Sequence, residues 1–300
     1  MVLKQLAYLV ALARERHFGR AAAAAHISQP TLSAAIRALE EELGAPMVER
    51  GHRFNGLTAE GELVLERAQR ILAECDGLRQ SLAEMGEGLA GRLRLGVIPT
   101  ALPVVALATA PFQTRFPRVS LVILSQTSED ILRGLDNFEL EAGFTYLDSE
   151  PLEHVRAKPI YREDFVFLTP AAAPHAGAAS ITWAQAGESP LCLLTPDMQN
   201  RRIIDGTFLS VGLRPRASIE TNSVLNLCSH VSLGHSSSIV PKSLLAVFGL
   251  PRNTRAIPLV SPQVSRSVGL IMSDRQPPSP LARALLAHAQ PLDLELAPAG

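Results

Sequence analysis

Residues His26–Gly44 read HISQPTLSAAIRALEEELG. Ser28 is placed to cap a helix, and Pro30 falls in its first turn, where a missing N–H removes no hydrogen bond. Leu32, Ile36, Leu39 and Leu43 recur at helical spacing as a buried stripe, and Gly44 with Pro46 ends the helix. The opposite face holds Pro30, Ser33, Ala34 and Arg37, with Gln29 and Thr31 near its start. Small side chains let a helix backbone come close to another surface. Gln, Ser, Thr and Arg are the types that reach base edges or phosphates in the DNA major groove. Glu40, Glu41 and Glu42 crowd the second half, where phosphate would repel them. The charge break therefore assigns docking to the first half.

The flanking sequence fits that reading. Leu3, Leu6, Ala7, Leu9, Val10 and Ala13 predict an amphipathic helix ended by His17, Phe18 and Gly19. The alanine-rich Arg20–Ala25 predicts a short helix that another can approach closely. Two short helices around a tight break at His26-Ile27 make a helix-turn-helix pattern. Glu49–Leu57, ERGHRFNGL, reads as a β-hairpin wing. Net charge is −1, so the positive charge a DNA-binding protein needs must be local. Arg20, Arg50, His52 and Arg53 supply it, and a wing arginine suits the narrow minor groove.

Thr58 can cap a long helix to about Leu89. Val64, Ala68, Ile71, Cys75, Leu78, Leu82, Met85 and Leu89 alternate four and three apart, as in a paired-helix seam. Ile71, Cys75, Leu78, Leu82 and Met85 are the candidate dimerisation residues. The alternative is an amphipathic helix lying on its own domain. Gly86, Gly88 and Gly91 then make a flexible exit.

Beyond Arg92 the texture changes. Predicted strands RLRLGVIP, VSLVILSQ, LEAGFTY, PLCLLT, PRASIET, SSSIVP and SVGLIMS alternate with predicted helices over Leu102–Phe116, Ser128–Asn137, Met198–Val211, Ser223–Leu233 and Ser279–Ala289. This is an α/β texture with parallel pairing, and two such units joined by crossing strands leave a cleft between them. With 300 residues the chain is long enough for two or three modules. Cys75, Cys192 and Cys228 form no CxxC, and no metal motif or cofactor fingerprint is visible. The first residues carry no signal-peptide pattern and no stretch is long and apolar enough for a membrane span, so a cytoplasmic, non-membrane protein is expected.

The segment FGRAAAAAHISQPTLSAAIRALEEELGAPMVER…LTAEG resembles the DNA-binding region of LysR-type transcriptional regulators. The matching positions are Ala21-Ala22, Ser28-Gln29-Pro30, Ser33, Ile36, Leu39-Glu40, Leu43-Gly44, Arg50 and Leu57-Thr58-Ala59-Glu60-Gly61. VSLGHSSSIVP is similar to a looser segment of the same family. Val48 stands where the family usually has Phe, Ala34 and Ala35 where it often has Arg or Gln, and Ser236 where a glycine is usual. Loss of polar groups at 34 and 35 shifts base reading toward Thr31, Ser33 and Arg37.

The resemblance implies a winged helix-turn-helix domain (1–57), a linker dimerisation helix (58–90) and a two-lobed, periplasmic-binding-protein-like effector domain (91–300). Lobe I would take about 91–161 and 267–293, lobe II about 162–266. It further implies promoter DNA as partner, a homodimer commonly doubled to a homotetramer, a small-molecule co-inducer, and RNA polymerase as a candidate contact. The expected DNA-binding set is Arg20, Ser28, Gln29, Pro30, Thr31, Ser33, Arg37, Arg50, His52 and Arg53. Ligands in such lobes lie at strand C-termini and helix N-termini. Those positions hold Thr100, Gln126, Thr127, Ser128, Thr145, Thr195, Thr221, Asn222 and Ser223, mostly hydroxyls and amides. Each also reads as a plain helix cap. As a set they suggest a small anion or carboxylate held mainly by backbone N–H groups. Arg201 and Arg202 are the nearest cations in sequence, with no place assigned.

Two other classes compete. Gly234-His235-Ser236 begins like the nucleophile elbow of an α/β hydrolase, with His154, His175, His230 or His235 as base, but Ser238 stands where the turn needs Gly. A solute-binding protein would share the two lobes but not the winged head.

Overall fold

The computed structural model describes residues 1–49, 54–86 and 88–294. Two compact units emerge, Met1–Gly88 and, apart from the stretch 136–139, the chain from Leu89 onward.

In the first unit, helices α1 (Leu3–Glu15), α2 (Phe18–Ala24) and α3 (Gln29–Leu43) precede the long α4 (Ala59–Met85). Leu6, Leu9, Leu12, Ala21, Ala22, Leu32, Ile36, Leu39 and Met47 form one core. Ser28 caps α3 by accepting the Thr31 N–H, and Gly44 ends it at φ 70°. His17 belongs to the start of α2 rather than the end of α1: its Nδ1 accepts the N–H groups of Gly19 and Arg20. Leu43, expected in the buried stripe, is 42% exposed, because the chain leaves the helix before its last turn meets the core. Val48 and Leu57 bridge antiparallel, and Glu49 N–H bonds to Gly56 C=O, so a hairpin base stands where the wing was expected.

Thr58 caps α4 and also donates to Pro46 C=O at 2.5 Å. Gly61 lies in the first turn of α4, where an added Cβ would sit 2.1 Å from Met47 C=O. The glycine of the Leu-Thr-x-x-Gly pattern is thus a close backbone contact. Ala68 is fully buried in the head's core, with Val64 and Leu72 packed beside it. The N-terminal part of the expected seam therefore lies on its own domain. Past it, Ile71, Leu78, Leu82 and Met85 are 37, 62, 61 and 86% exposed. Leu89 is not on the helix at all, since Gly86 ends it and Leu89 packs in the second unit's core.

The second unit opens with β1 (Gly91–Val97), α5 (Leu102–Arg115), β2 (Val119–Ser125), α6 (Ser128–Asp136) and β3 (Ala142–Tyr146). Strand β1 pairs parallel with both β2 and β3. A 16-residue strand, β4 (Val155–Pro170), follows, then β5 (Ile181–Thr182), α7 (Trp183–Gly187), β6 (Leu191–Leu194) and α8 (Gln199–Ser210). The chain ends with β7 (Ala217–Thr221), α9 (Val224–Ser232), β8 (Ser238–Pro241), α10 (Lys242–Phe248), β9 (Thr254–Val260), β10 (Ser265–Ser273) and α11 (Pro280–His288).

Sequence reading omitted β4, and the sheet is mixed rather than parallel because of it. Over Val155–Asp164, β4 pairs antiparallel with β10, which pairs antiparallel with β3. Over Phe165–Pro170 it pairs antiparallel with β8 and β9 instead. One strand thus carries the chain from the β1–β3 lobe into the lobe built on β5–β9, where β6 and β7 pair parallel. The apolar run FVFL buries both faces in the second lobe, while VRAKPIYRED alternates, so no single period marks the strand.

Candidate DNA-reading face and effector cleft

On α3, Ser28, Gln29, Pro30, Thr31, Ala34 and Arg37 are exposed together, and Ser33 is half-buried beside them. Ser28 Oγ also meets Thr31 Oγ1 at 2.8 Å, which fixes the first turn. Arg20 is exposed near the start of α2, its guanidinium on Glu15 C=O at 2.5 Å. Arg50, His52 and Arg53 lie outside the described residues. Among the three acids at the end of α3, Glu40 has a role the sequence did not reveal. Its carboxylate accepts the N–H groups of Met47 (2.7 Å) and Val48 (3.2 Å), tying the base of the hairpin to α3. The signal was present as an acid seven residues before an apolar Met-Val pair, but nothing local marks that spacing.

In the second unit the candidates divide into two groups. Thr100 and Thr145 are buried and face the residues that start α8. Thr100 Oγ1 lies 3.3 Å from Tyr146 OH, which also accepts from Asn200 Nδ2 at 3.1 Å. Thr145 Oγ1 donates to Gln199 Oε1 at 3.0 Å, and Gln199 Nε2 donates to Ser149 at 2.9 Å. Ser128, buried at the start of α6, meets Glu150 Oε2 at 3.3 Å and Arg202 Nη2 at 3.1 Å. The side-chain oxygens of Gln126 and Thr195 are buried with no hydrogen-bond partner. Thr127 caps α6 through Asp130 N–H. Thr221 and Ser223 cap the turn into α9. Asn222 and Ser223 line a different cavity of about 1100 Å³, mostly apolar, with Pro99, Leu102, Leu225 and Phe248.

Sequence reading could not place the two arginines; helix geometry separates them. Successive helical side chains point about 100° apart. Arg201 is buried and spends its donors on Asp205, Glu220 and the Leu194 carbonyl. Arg202 reaches the other lobe, with Nε 2.6 Å from Glu150 Oε1. A cavity of about 670 Å³ opens beside this pair, lined also by Asp148, Arg162 and Arg266. Glu163, on the crossing strand β4, is fully buried. It accepts from Tyr146, from Tyr161 at 2.9 Å and from Ser243 at 3.2 Å. Burial pushes its carboxyl up to about 7, against the lowering effect of those three donors. Burial first, and the nearby Glu163 second, hold both phenols well above their ordinary range.

The hydrolase elbow has no counterpart. Ser236 is buried, its Oγ without a hydrogen-bond partner, and Ser238 lies inside β8.

A winged helix-turn-helix followed by a two-lobed α/β domain defines a DNA-binding protein joined to a ligand-binding module. Residues 3–62 match the bacterial regulatory helix-turn-helix protein model, lysR family, and residues 86–292 match the LysR substrate binding domain model. The chain belongs to the LysR family of transcriptional regulators: it is a DNA-binding, effector-responsive regulator and not an enzyme. The DNA-binding transcriptional dual regulator OxyR of Escherichia coli (strain K12) is 28% identical over 282 residues, 94% of this chain and 91% of the relative. A probable hydrogen peroxide-inducible genes activator of Mycobacterium avium is 31% identical, covering 87% and 85%. A full-length OxyR variant from Pseudomonas aeruginosa superposes with TM-score 0.75 at 29% identity, covering 98% and 99%. CbnR complexed with its target DNA, at 23% identity and TM-score 0.69 over 96% and 99%, shares the fold. Among the described residues, no helix is long and apolar enough to cross a membrane.

Proposed function

We propose that the chain binds promoter DNA as a dimer through the first half of α3 and responds to a small carboxylate between its effector lobes. The observation that carries the DNA reading is the exposed strip of Gln29, Pro30, Thr31, Ala34 and Arg37, small or hydrogen-bonding throughout and free of acids. Arg20 beside it, with Arg50, His52 and Arg53 in the wing sequence, adds phosphate and minor-groove contacts. The half-buried Ser33 adds a further polar contact.

The exposed Ile71, Leu78, Leu82 and Met85 of α4, with the half-buried Cys75 between them, are the apolar surface on which two copies pair. Leu107 and Ile123 are exposed on the effector domain and suit a second contact that doubles the dimer to a tetramer. RNA polymerase is the further partner such a regulator contacts when it activates. The work of this protein then lies in the cytoplasm, with DNA.

The relatives named for hydrogen peroxide raise a second reading, thiol oxidation, which the effector-domain cysteines oppose. Reactivity requires a thiolate. Burial raises the pKa of the Cys192 thiol and, with Cys192 nearby, pushes Cys228 up to about 11. Both shifts disfavour the thiolate. The lobes instead offer hydroxyls, amides and Arg202, which suit an acid group. Thr100, Gln126, Thr127, Ser128, Thr145 and Thr195 are its first candidates. Thr221, Asn222 and Ser223 border the apolar cavity, where the rest of a larger ligand would lie.

Replacing Arg37 by Ala should weaken operator binding by about 1–3 kcal/mol, read by gel shift at fixed salt. An unchanged affinity and footprint would reject this docking. Replacing Leu78 and Leu82 together by Asp should separate the paired α4 helices. Light scattering that still reported the parent assembly would show that other surfaces hold it.

A further inference from the structure

Inside the polar side of the effector cleft, the protein carries a carboxylate of its own where an acid ligand would bind. Glu150 follows β3 in the first lobe. Its Oε1 accepts from Arg202 Nε at 2.6 Å, and its Oε2 accepts from Ser128 Oγ at 3.3 Å. Arg202 also reaches Ser128 Oγ at 3.1 Å and the Asp197 carbonyl at 2.7 Å, which fixes its guanidinium over the start of α6, where the more exposed Glu129 carboxylate stands farther off at 3.7 Å. One carboxylate is therefore held by a cation from the second lobe and a hydroxyl from the first. The pair also holds the two lobes together. Both side chains are 31% exposed, so water and solutes reach them from the adjoining 670 Å³ cavity.

That cavity has cationic capacity left over. Arg266 and Arg162 bring two more guanidiniums to its wall, and Arg162 spends Nε and Nη2 on the side chain and carbonyl of Ser265. Asp148, the other acid on the wall, accepts the Ser267 N–H.

We propose that Glu150 is an internal stand-in for the effector. A small dicarboxylate places one acid group on Arg202 and Ser128 in place of Glu150, and its second acid group meets the Arg266 and Arg162 side of the cavity. Exchange of the tethered carboxylate for a free one replaces the direct Arg202–Glu150 tie between the lobes by one that runs through the ligand, so binding and lobe arrangement are coupled. A ligand that breaks an existing ion pair binds more weakly than it would to a vacant guanidinium, and removal of the competitor should raise affinity. This inference rests on the small-carboxylate reading above and sharpens it.

The test is calorimetric titration of the full-length protein with succinate, malonate and acetate. Glu150→Gln keeps the side chain's shape and removes its charge. It should bind succinate or malonate about tenfold tighter than the parent chain, with acetate weaker than either. Arg202→Gln should lose that binding, and Arg202→Lys should recover only part of it, because an ammonium cannot hold the carboxylate, Ser128 and the Asp197 carbonyl in the guanidinium's fixed fork. Opposite signs for Glu150→Gln and Arg202→Gln are not what a purely structural ion pair gives, since removing either partner of such a pair has one effect. If the parent chain binds a dicarboxylate and Glu150→Gln does not tighten it, the stand-in is overturned and the carboxylate reading survives. If no variant binds any of the three acids, both fall.

Discussion

The winged head and the effector domain put their polar side chains to opposite uses. On α3, Gln29, Thr31 and Arg37 stand in solvent. In the cleft, Thr100, Thr145 and Ser128 are buried and already bonded to groups of this chain. A surface that meets a fixed polyanion can wait with its donors in water, where idle groups cost little. Buried polar groups are costly when unpaired, so most of these are satisfied within the chain, Gln126 Oε1 and Thr195 Oγ1 being the exceptions. The first arrangement leaves its donors open to a partner, and the second engages them within the chain.

The largest expected effect concerns how the head is assembled. The 2.1 Å approach of a Cβ at position 61 to a backbone carbonyl leaves no flexible atom to move aside. Gly61→Ala should cost the head roughly 3–4 kcal/mol, seen as an early melting transition with loss of DNA binding. A melting profile equal to the parent's would show that α4 and the Met47 strand separate freely.

Next comes the effector domain's buried acid. Glu163 has its carboxyl raised to about 7, above an unfolded value near 4.5, so the folded domain holds this proton more tightly. Its contribution to stability is complete below about pH 4.5 and is lost as pH rises through 7, a change on the order of 3 kcal/mol. Glu163→Gln should remove that part of the pH dependence, measured by urea titration between pH 5 and 8. Parallel pH profiles for the two proteins would mean that the Tyr146, Tyr161 and Ser243 hydroxyls offset the burial fully.

The smallest is Glu40→Ala, which leaves the Met47 and Val48 N–H groups without their partner at about 1–3 kcal/mol. It should loosen the wing base and lower DNA affinity although Glu40 lies outside the proposed reading strip. Glu41→Ala, exposed on the same turn, is the control and should leave stability unchanged. Equal effects from the two would show that only the charge of the acidic run matters.

The same contrast explains what could be read from residues alone. Caps, stops and exposed small residues are local, so Ser28, Gly44, Thr58 and the strip on α3 stand out in sequence. Leu43 was misassigned because helical period says which side faces inward, not where the core ends. The seam of α4 has one period throughout, yet Ala68 meets its own head and Leu78 meets solvent. Partner identity is not encoded in period. The cleft was legible only as a set of strand ends. The side chains that bond across it, Gln199, Asn200, Arg202 and Glu150, come from both lobes, and Glu163 is buried on a strand whose pattern changes where it changes partners. Those pairings are fixed by tertiary structure, which is why Arg201 and Arg202 looked alike until the helix was in place.

The most direct test of the central claim is photocross-linking from α3 to promoter DNA. A benzophenone side chain introduced in place of Ala34 should yield adducts to bases in the major groove of two half-sites related by the dimer's symmetry, while the same group in place of Glu41 should yield few. Adducts from position 41 with none from position 34, or no DNA adduct at all in a protein that still occupies its promoter, would contradict the account.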